Sequence, residues 1–410
     1  MSVAQSLTVP SIVAVNSDTP PAAAPIGGTE RIARLRLARS QNVGPRTYGH
    51  LLRRFGTAQR ALAALPDLAA RGGKAGYEAC PIEVAEAEIA AGNRNGATLL
   101  VLGDADYPQL LAQIDPPPPV IWAMGDVEMF TRPAVAIVGA RNASALGLRT
   151  ARRLARELAA TGHVIVSGMA RGIDAAAHES ALPTGTIAVL AGGLDQPYPP
   201  ENHALYERIK EHGLLVSEMP FGLSPTSKHF PRRNRLISGL SRGVILVEAA
   251  TRSGSLITAR FALEQGREAM ACPGAADDPR AGGCNALIRE GAALIRHAGD
   301  VEEALAAPRG YELAEGGRSF DFDADLFGED QMRDDYDALA DFDEEGGIGD
   351  EALTEQILGL LTQHPIEIDE VARECGSSPS ELSLAILELD LAGKIDILPG
   401  GSISLKGPED

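Results

Sequence analysis

The sequence predicts an α/β protein: an open, mainly parallel sheet with helices on both faces, a small helical domain ahead of it and a winged-helix domain after it. Three observations predict this. Seven apolar runs between 134 and 297 alternate regularly with amphipathic segments, which is the pattern of βαβ repetition. Short helical stretches with little strand character fill 29–97, and three helical segments followed by a Gly-Gly hairpin close the chain.

Residues 1–28 are rich in Ser, Thr, Ala and Pro without periodicity, so they are expected to form a disordered lead. The helical domain over 29–97 follows from "RIARLRLARS", "PRTYGHLLRRFG", "TAQRALAAL" and "PIEVAEAEIAAG". Between the first two lies "NVGP", a tight turn that is similar to the hairpin of helix-hairpin-helix DNA modules. Such hairpins present backbone N–H groups to a phosphate, although a plain turn in a small bundle suits one Gly-Pro better. "ATLLVLGD" reads as a strand and "DPPPPVIWAMGD" as a stiff extended connector. The strands of the main domain, 98–308, are "AVAIVGA", "HVIVSG", "TIAVLAGG", "LLVSEMP", "GVILVEAA", "EAMACPG" and "ALIRH". Their continuous apolar character suits strands covered on both faces. Helices are expected over 145–161, 173–182, 202–212, 232–240, 254–266 and 282–290. The stretch 309–350 loses all periodicity and reads as an acidic, self-repelling linker, after which 351–410 forms the winged-helix domain.

Composition narrows the function classes. Apolar runs fall well short of the ~20 residues of a membrane helix, and no basic segment followed by an apolar stretch marks a secretory signal. The cysteines at 80, 272, 284 and 375 are far apart and lack metal-ligand spacing, as expected of reduced cytoplasmic thiols. The net charge of −19 argues against a polyanionic ligand only until it is located. Residues 312–351 hold 16 Asp or Glu against two Arg, and so carry −14 of it. Across 131–250 the balance reverses, with 14 Lys or Arg against 9 Asp or Glu. Local field depends on this distribution, so the middle of the chain can receive phosphate.

Ligands of an open parallel sheet bind beyond the carboxyl ends of its strands. After the first strand comes "GARNASALG", in which Gly139 permits close approach, Ser144 can cap the next helix and Arg141 stands at its positive end. After the second comes "SGMARGIDAAAH", with Gly168, Arg171 and Gly172; Asp174 is expected to brace this loop and His178 to make a structural hydrogen bond. "SKHFPRRNRLISG" follows the fourth strand with Lys228, Phe230, Arg232, Arg233, Asn234 and Arg235, and Ser253, Gly254 and Ser255 begin a helix after the fifth. Glycines, hydroxyls, helix starts and arginine forks together describe a surface for several phosphates. One arginine is expected to be spent on Glu218 or Glu248. Tyr198, Phe221 and Phe230 are the aromatic rings available for stacking. A dinucleotide fingerprint fits poorly, since Arg141 fills its second glycine and no acid ends the second strand. No Walker loop, nucleophile elbow or zinc motif occurs, so neither metal nor cofactor is expected.

Taken together, "VAIVGARNAS", "VSGMARGIDAAAH", "AVLAGGLDQPYPPEN", "SEMPFG", "FPRRNRLISGLS", "VILVEAATRSGSLITA" and "GCNALIREGA" closely resemble the DNA-processing protein A family (DprA/Smf), over roughly 100–300 and in order. The resemblance implies an extended Rossmann-like domain that binds single-stranded DNA, between an N-terminal SAM- or helix-hairpin-helix-like domain and a winged helix. It further implies protection of incoming strands in natural transformation, loading of the RecA recombinase, a homodimer and no catalytic activity. Its strand-binding positions correspond here to Arg141 with the Gly139 loop and to the basic stretch 228–235. One departure is that "SPSELSLAILELDLAG", the expected recognition helix, carries Glu381, Glu388 and Asp390 but no base, so it suits a protein contact or a structural remnant better than a duplex reader. A second class of function is a nucleotide phosphoribohydrolase of the lysine-decarboxylase-like fold; "EAATRSGS" stands at the comparable loop and lacks its "PGG".

Overall fold

The computed structural model describes residues 26–71, 76–306 and 351–405, the last with breaks at 363–364, 376, 378, 392–393 and 399–401. The lead segment up to residue 25 and the acidic stretch 309–350 lie outside the described residues.

Four helices come first: α1 (Gly28–Ala38), α2 (Pro45–Phe55), α3 (Ala58–Arg71) and α4 (Ile82–Arg94). Pro45 at the start of α2 has its φ preset for a helix and forfeits only an N–H that would have no intrahelical partner. The main sheet has nine strands: β1 (Ala97–Val101), β2 (Val120–Gly125), β3 (Ala134–Gly139), β4 (Val164–Ser167), β5 (Thr186–Val189), β6 (Leu214–Ser217), β7 (Gly243–Val247), β8 (Glu268–Ala271) and β9 (Ala293–Leu294). The helix α5 (Gln109–Ala112) lies between β1 and β2; α6 (Ala145–Ala160), α7 (Ile173–Ala181), α8 (His203–His212), α9 (His229–Gly239), α10 (Gly254–Glu264), α11 (Gly282–Arg289) and α12 (Ala298–Ala306) lie between or after the later strands. The strand order is β1-β2-β6-β5-β4-β3-β7-β8-β9, parallel from β6 to β9.

Alternation along each strand sends side chains to two cores. Ala134, Ala136 and Val138 of β3 face the layer formed with α9, α10 and α11, where Leu236, Leu256 and Leu287 are buried. Val135 and Ile137 face the opposite layer, with Leu154 and Leu158 of α6 and Ile173 of α7. Both faces are covered, which is why these strands read as unbroken apolar runs.

The expected connector "DPPPPVIWAMGD" is corrected in its second half. Val120–Gly125 is β2, antiparallel to both β1 and β6. Trp122 on this strand is 1% exposed, donates its indole N–H to Glu88 Oε1 (2.7 Å), and sits so close to α4 that a Cβ on Gly92 would lie 2.2 Å from its ring. Glu88 also accepts from Arg39 Nε (3.0 Å) and Nη2 (2.8 Å), so one buried carboxylate ties α1, α4 and the sheet together.

The C-terminal unit comprises α13 (Glu351–Leu360), β10 (Ile366–Glu367), α14 (Ile368–Cys375), α15 (Pro379–Leu391), β11 (Ile395–Leu398) and β12 (Ser402–Leu405). Its three strands pair in the order β10-β12-β11 around a core that includes Ile357, Val371, Ile386, Leu389 and Ile403. This is a winged helix.

Candidate functional site

The chain leaves β3 for β4 and β5 on one side and crosses back to β7 on the other, so the crevice of the fold opens between β3 and β7. The strands meet tightly there. A Cβ on Gly139 would lie 1.9 Å from the Val247 carbonyl oxygen, and one on Gly172 (φ 79°) would lie 2.3 Å from that of Ala140.

Glu248, directly after β7, has φ 54°, a conformation that costs a non-glycine residue ~1–3 kcal/mol and persists only where its surroundings hold it. What holds it is the start of α6. The Glu248 carboxylate accepts from Ser144 N (2.8 Å) and from the Ser144 hydroxyl, and a Cβ on Gly147 would lie 2.4 Å from its carboxyl carbon. Ser144 also caps α6, its Oγ accepting from Gly147 N at 3.0 Å. The helix N-terminus that would seat a phosphate in a dinucleotide fold is therefore filled by this chain's own carboxylate. Ser144, expected as a ligand group, is committed to Glu248.

Beside this filled seat lies a cleft of ≈ 180 Å³ lined by Arg141, Gly168, Arg171, Tyr198, Phe230 and Arg233, among others. Its floor is the loop after β4. Asp174 Oδ2 accepts from Gly168 N (3.1 Å) and Ala170 N (3.4 Å), while Asn202 Nδ2 donates to Met169 O (2.7 Å) and so ties this loop to the one after β5. Asn202 does this instead of the capping role its position before α8 suggests. His178 makes the structural hydrogen bond, to Thr186 Oγ1 at 2.7 Å. Since that hydroxyl donates its one proton to Ile165 O, the His178 Nδ1 carries the hydrogen. Burial pushes His178 down to about 3, so the ring is neutral at ordinary pH.

Arg233 reaches into the cleft from α9. It is 7% exposed, its Nη1 stands 3.9 Å from Asp174 Oδ2, and its Nε finds no acceptor among the described residues. Burial pushes its guanidinium down to about 10, against the pull of Asp174, so it remains a cation at neutral pH. Burial likewise pushes Asp174 up, opposed by Arg233 and by the amides of Ala170 and Gly168. Glycine at 168 leaves room for this guanidinium, because a Cβ there would lie 1.2 Å from Arg233 Nη1. Arg141 is exposed, and its guanidinium carbon lies 5.4 Å from the Phe230 ring centroid; that of Arg233 lies 5.8 Å from the same centroid. Tyr198 packs against Phe230 at 5.8 Å. Arg171 pairs with Glu201 (3.3 Å) at the rim, with both side chains exposed.

The remaining expected residues lie around or behind this cleft. α9 begins at His229, three residues earlier than expected, and Lys228 is exposed just before it. Asn234 Nδ2 donates to Gly254 O (3.3 Å), which brings the turn of Ser253, Gly254 and Ser255 beside α9; Ser253 caps α10. Arg232 is buried. Arg235 is the arginine spent inside: its Nη2 bonds both oxygens of Glu218 at 2.8 Å and its Nη1 donates to Pro116 O at 2.9 Å. Phe221 stacks edge-on against Trp122 (5.1 Å) and is withdrawn from stacking on a ligand. Proximity in sequence did not reveal that Glu201, Pro199 and Pro200 also line the cleft.

Fold and site together define an open α/β-sheet protein with a cationic, aromatic cleft beyond its strand ends and an internally filled nucleotide seat. Family models match along the chain: the DprA-like N-terminal HHH domain at 28–91, DNA recombination-mediator protein A at 98–306, and the DprA winged helix domain at 346–401. The chain belongs to the DNA recombination-mediator protein A (DprA/Smf) family, and so to the DNA-processing recombination mediators. It is 44% identical to the DNA processing protein DprA of Bacillus subtilis over 53% of this chain and 74% of that one. To protein Smf of Escherichia coli it is 38% identical over 75% of this chain and 77% of that one. The X-ray structure of DNA processing protein A from Streptococcus pneumoniae superposes with a TM-score of 0.57 at 34% identity, covering 68% of this chain and 98% of that one. Among the described residues no helix is long and apolar enough to cross a membrane.

Proposed function

We propose that the cleft binds the backbone of single-stranded DNA, with Arg141 and Arg233 on phosphates and with Phe230 and Tyr198 offering ring faces to bases. Arg171, Lys228, Asn234 and the Ser253–Ser255 turn extend the path to either side, and Arg232 contributes charge from within α9. In this reading the protein protects incoming strands in natural transformation and delivers them to the RecA recombinase, as a cytoplasmic homodimer without catalytic turnover. The domain of 98–308 carries the strand, with 29–97 and 351–410 as accessory domains.

One observation carries the reading. Two guanidinium groups lie 5.4 and 5.8 Å from a single aromatic ring centroid, and the buried Nε of Arg233 has no acceptor among the described residues. Asp174 balances the charge of Arg233 from 3.9 Å without accepting its hydrogen bonds, which leaves buried donors that an incoming phosphate can satisfy. The filled seat at α6 supports a polymer backbone over a mononucleotide.

The test is a titration of labelled single strand against closed duplex over a salt series. Tighter single-strand binding, with affinity falling steeply as salt rises, supports the proposal. Equal affinity for both forms, or nucleotide hydrolysis without strand binding, overturns it in favour of a different site or of the phosphoribohydrolase alternative.

A further inference from the structure

The helix that a winged helix ordinarily lays into a duplex is α15, and here it is already occupied. One side of it (Leu382, Ala385, Ile386, Leu389) builds the core of its own unit. The other side docks on the N-terminal helices: Leu387, 5% exposed, joins the apolar cluster of Leu37, Val43, Tyr48 and Leu51. At the edge of this contact Thr47 Oγ1 donates to Asp390 Oδ2 (2.7 Å), and Arg46 Nη1 donates to Ile397 O (2.9 Å). The two helices also differ in charge along the sequence: α2 carries Arg46, Arg53 and Arg54 and no acid, whereas α15 carries Glu388 and Asp390 and no base.

Arg46 and Thr47 belong to the first turn of α2, directly after the Asn42–Gly44 hairpin. The N-cap there is Gly44, which has no side chain to accept from the turn's amides. Asp390, 9% exposed, accepts from the Thr47 hydroxyl in that first turn, so a carboxylate of this chain stands beside the place where a hairpin of this kind would present amides and Arg46 to a backbone phosphate.

We propose that α15 is an intrachain mimic of a DNA backbone: while docked it withholds the α2 hairpin from duplex phosphates. Release of the winged-helix domain exposes the hairpin as a second, duplex-directed site, separate from the cleft. The proposal does not depend on the single-strand reading of that cleft.

The experiment uses the full chain and a hairpin-closed duplex that offers no single-stranded end. Leu387→Asp and, as a milder opening, Asp390→Ala are compared with the double variant Thr47→Cys/Asp390→Cys, oxidised and reduced. Both opening variants should gain at least fivefold in duplex affinity, and Arg46→Ala added to either should remove the gain. The oxidised double variant should form its disulfide within one chain and bind duplex no better than wild type, while the reduced form resembles Asp390→Ala. Circular dichroism of both opening variants checks that each is folded, and Asp390→Ala carries the test if Leu387→Asp is not. Unchanged duplex affinity in Asp390→Ala and the reduced double variant overturns the proposal, as does a disulfide formed between chains. Single-strand affinity should stay within twofold throughout, which separates this outcome from failure of the cleft.

Discussion

Arg233 and Asp174 face each other deep beneath the cleft with Nη1 3.9 Å from Oδ2, close enough for charge and too far for a hydrogen bond. The carboxylate is held instead by the amides of Gly168 and Ala170, so it balances the arginine without using up its donors. This spacing leaves the guanidinium able to bond an incoming anion.

The first prediction follows from Gly168. A methyl group at this position lies 1.2 Å from Arg233 Nη1, so Gly168→Ala must push the guanidinium out of place. Single-strand affinity should fall roughly tenfold or more, the worth of a charge-assisted hydrogen bond of ~1.5–3 kcal/mol. Titration of this variant beside Arg233→Ala should give similar losses. Unaltered affinity in Gly168→Ala would show that Arg233 does not touch the strand.

Arg235 behaves differently. Its side chain is 6% exposed and forks onto Glu218, itself 13% exposed, so Arg235→Ala strands a buried carboxylate. The expected cost is ~3–5 kcal/mol of stability, with the salt dependence of strand binding retained by whatever fraction remains folded. Chemical denaturation measures the first and a salt series the second. A variant that melts like wild type but loses salt slope would return Arg235 to the interface.

The pairing of Arg233 with Arg235 shows what was legible in the sequence and what was not. "RRNR" groups these residues by adjacency, yet α9 begins at His229, and two residues apart on a helix means about 200° in direction. One arginine therefore faces the cleft and the other the interior, where its partner Glu218 lies on the preceding loop. The parallel strands were legible because burial on both faces leaves an unbroken apolar run. β2 was not, because its strand character rests on pairing with β6, about ninety residues on, and the four prolines before it dominate the local pattern. Gly139 was legible as a close approach and Gly168 as part of a glycine loop. The groups pressed on them, Val247 O and the Arg233 guanidinium, were not, since both come from later parts of the chain.

Asp174 gives a pH prediction whose sign can be fixed. Burial raises its folded-state pKa, so the folded protein holds this proton more tightly than the unfolded chain does. Its stabilising contribution is present below the ordinary carboxylate value and is lost as pH rises through the raised one. Thermal melts of wild type and Asp174→Asn between pH 4 and 7 should therefore show the wild type gaining on the variant as pH falls, against the general trend of acid destabilisation. A difference that stays constant or shrinks on acidification would contradict the assignment.

Gly92 supplies a stability prediction away from the cleft. In an exposed helix Gly→Ala gains up to ~1 kcal/mol, but here the added methyl lies 2.2 Å from the Trp122 ring. Overpacking of this kind costs ~1–3 kcal/mol, so Gly92→Ala should lower the melting temperature. Because Trp122 is bonded to Glu88 and stacked with Phe221, the shift should also perturb its fluorescence.

Arg141→Ala tests the central claim most directly. Arg141 is exposed, lies over Phe230 and repels the nearby Arg233, so its loss should leave the fold intact and the melting temperature no lower. If the cleft holds DNA phosphate, log affinity for single strand should fall for every sequence alike, and its slope against log salt should flatten by ~0.7. An Arg141→Ala protein with wild-type stability, wild-type affinity and an unaltered salt slope would place the strand elsewhere and contradict the account.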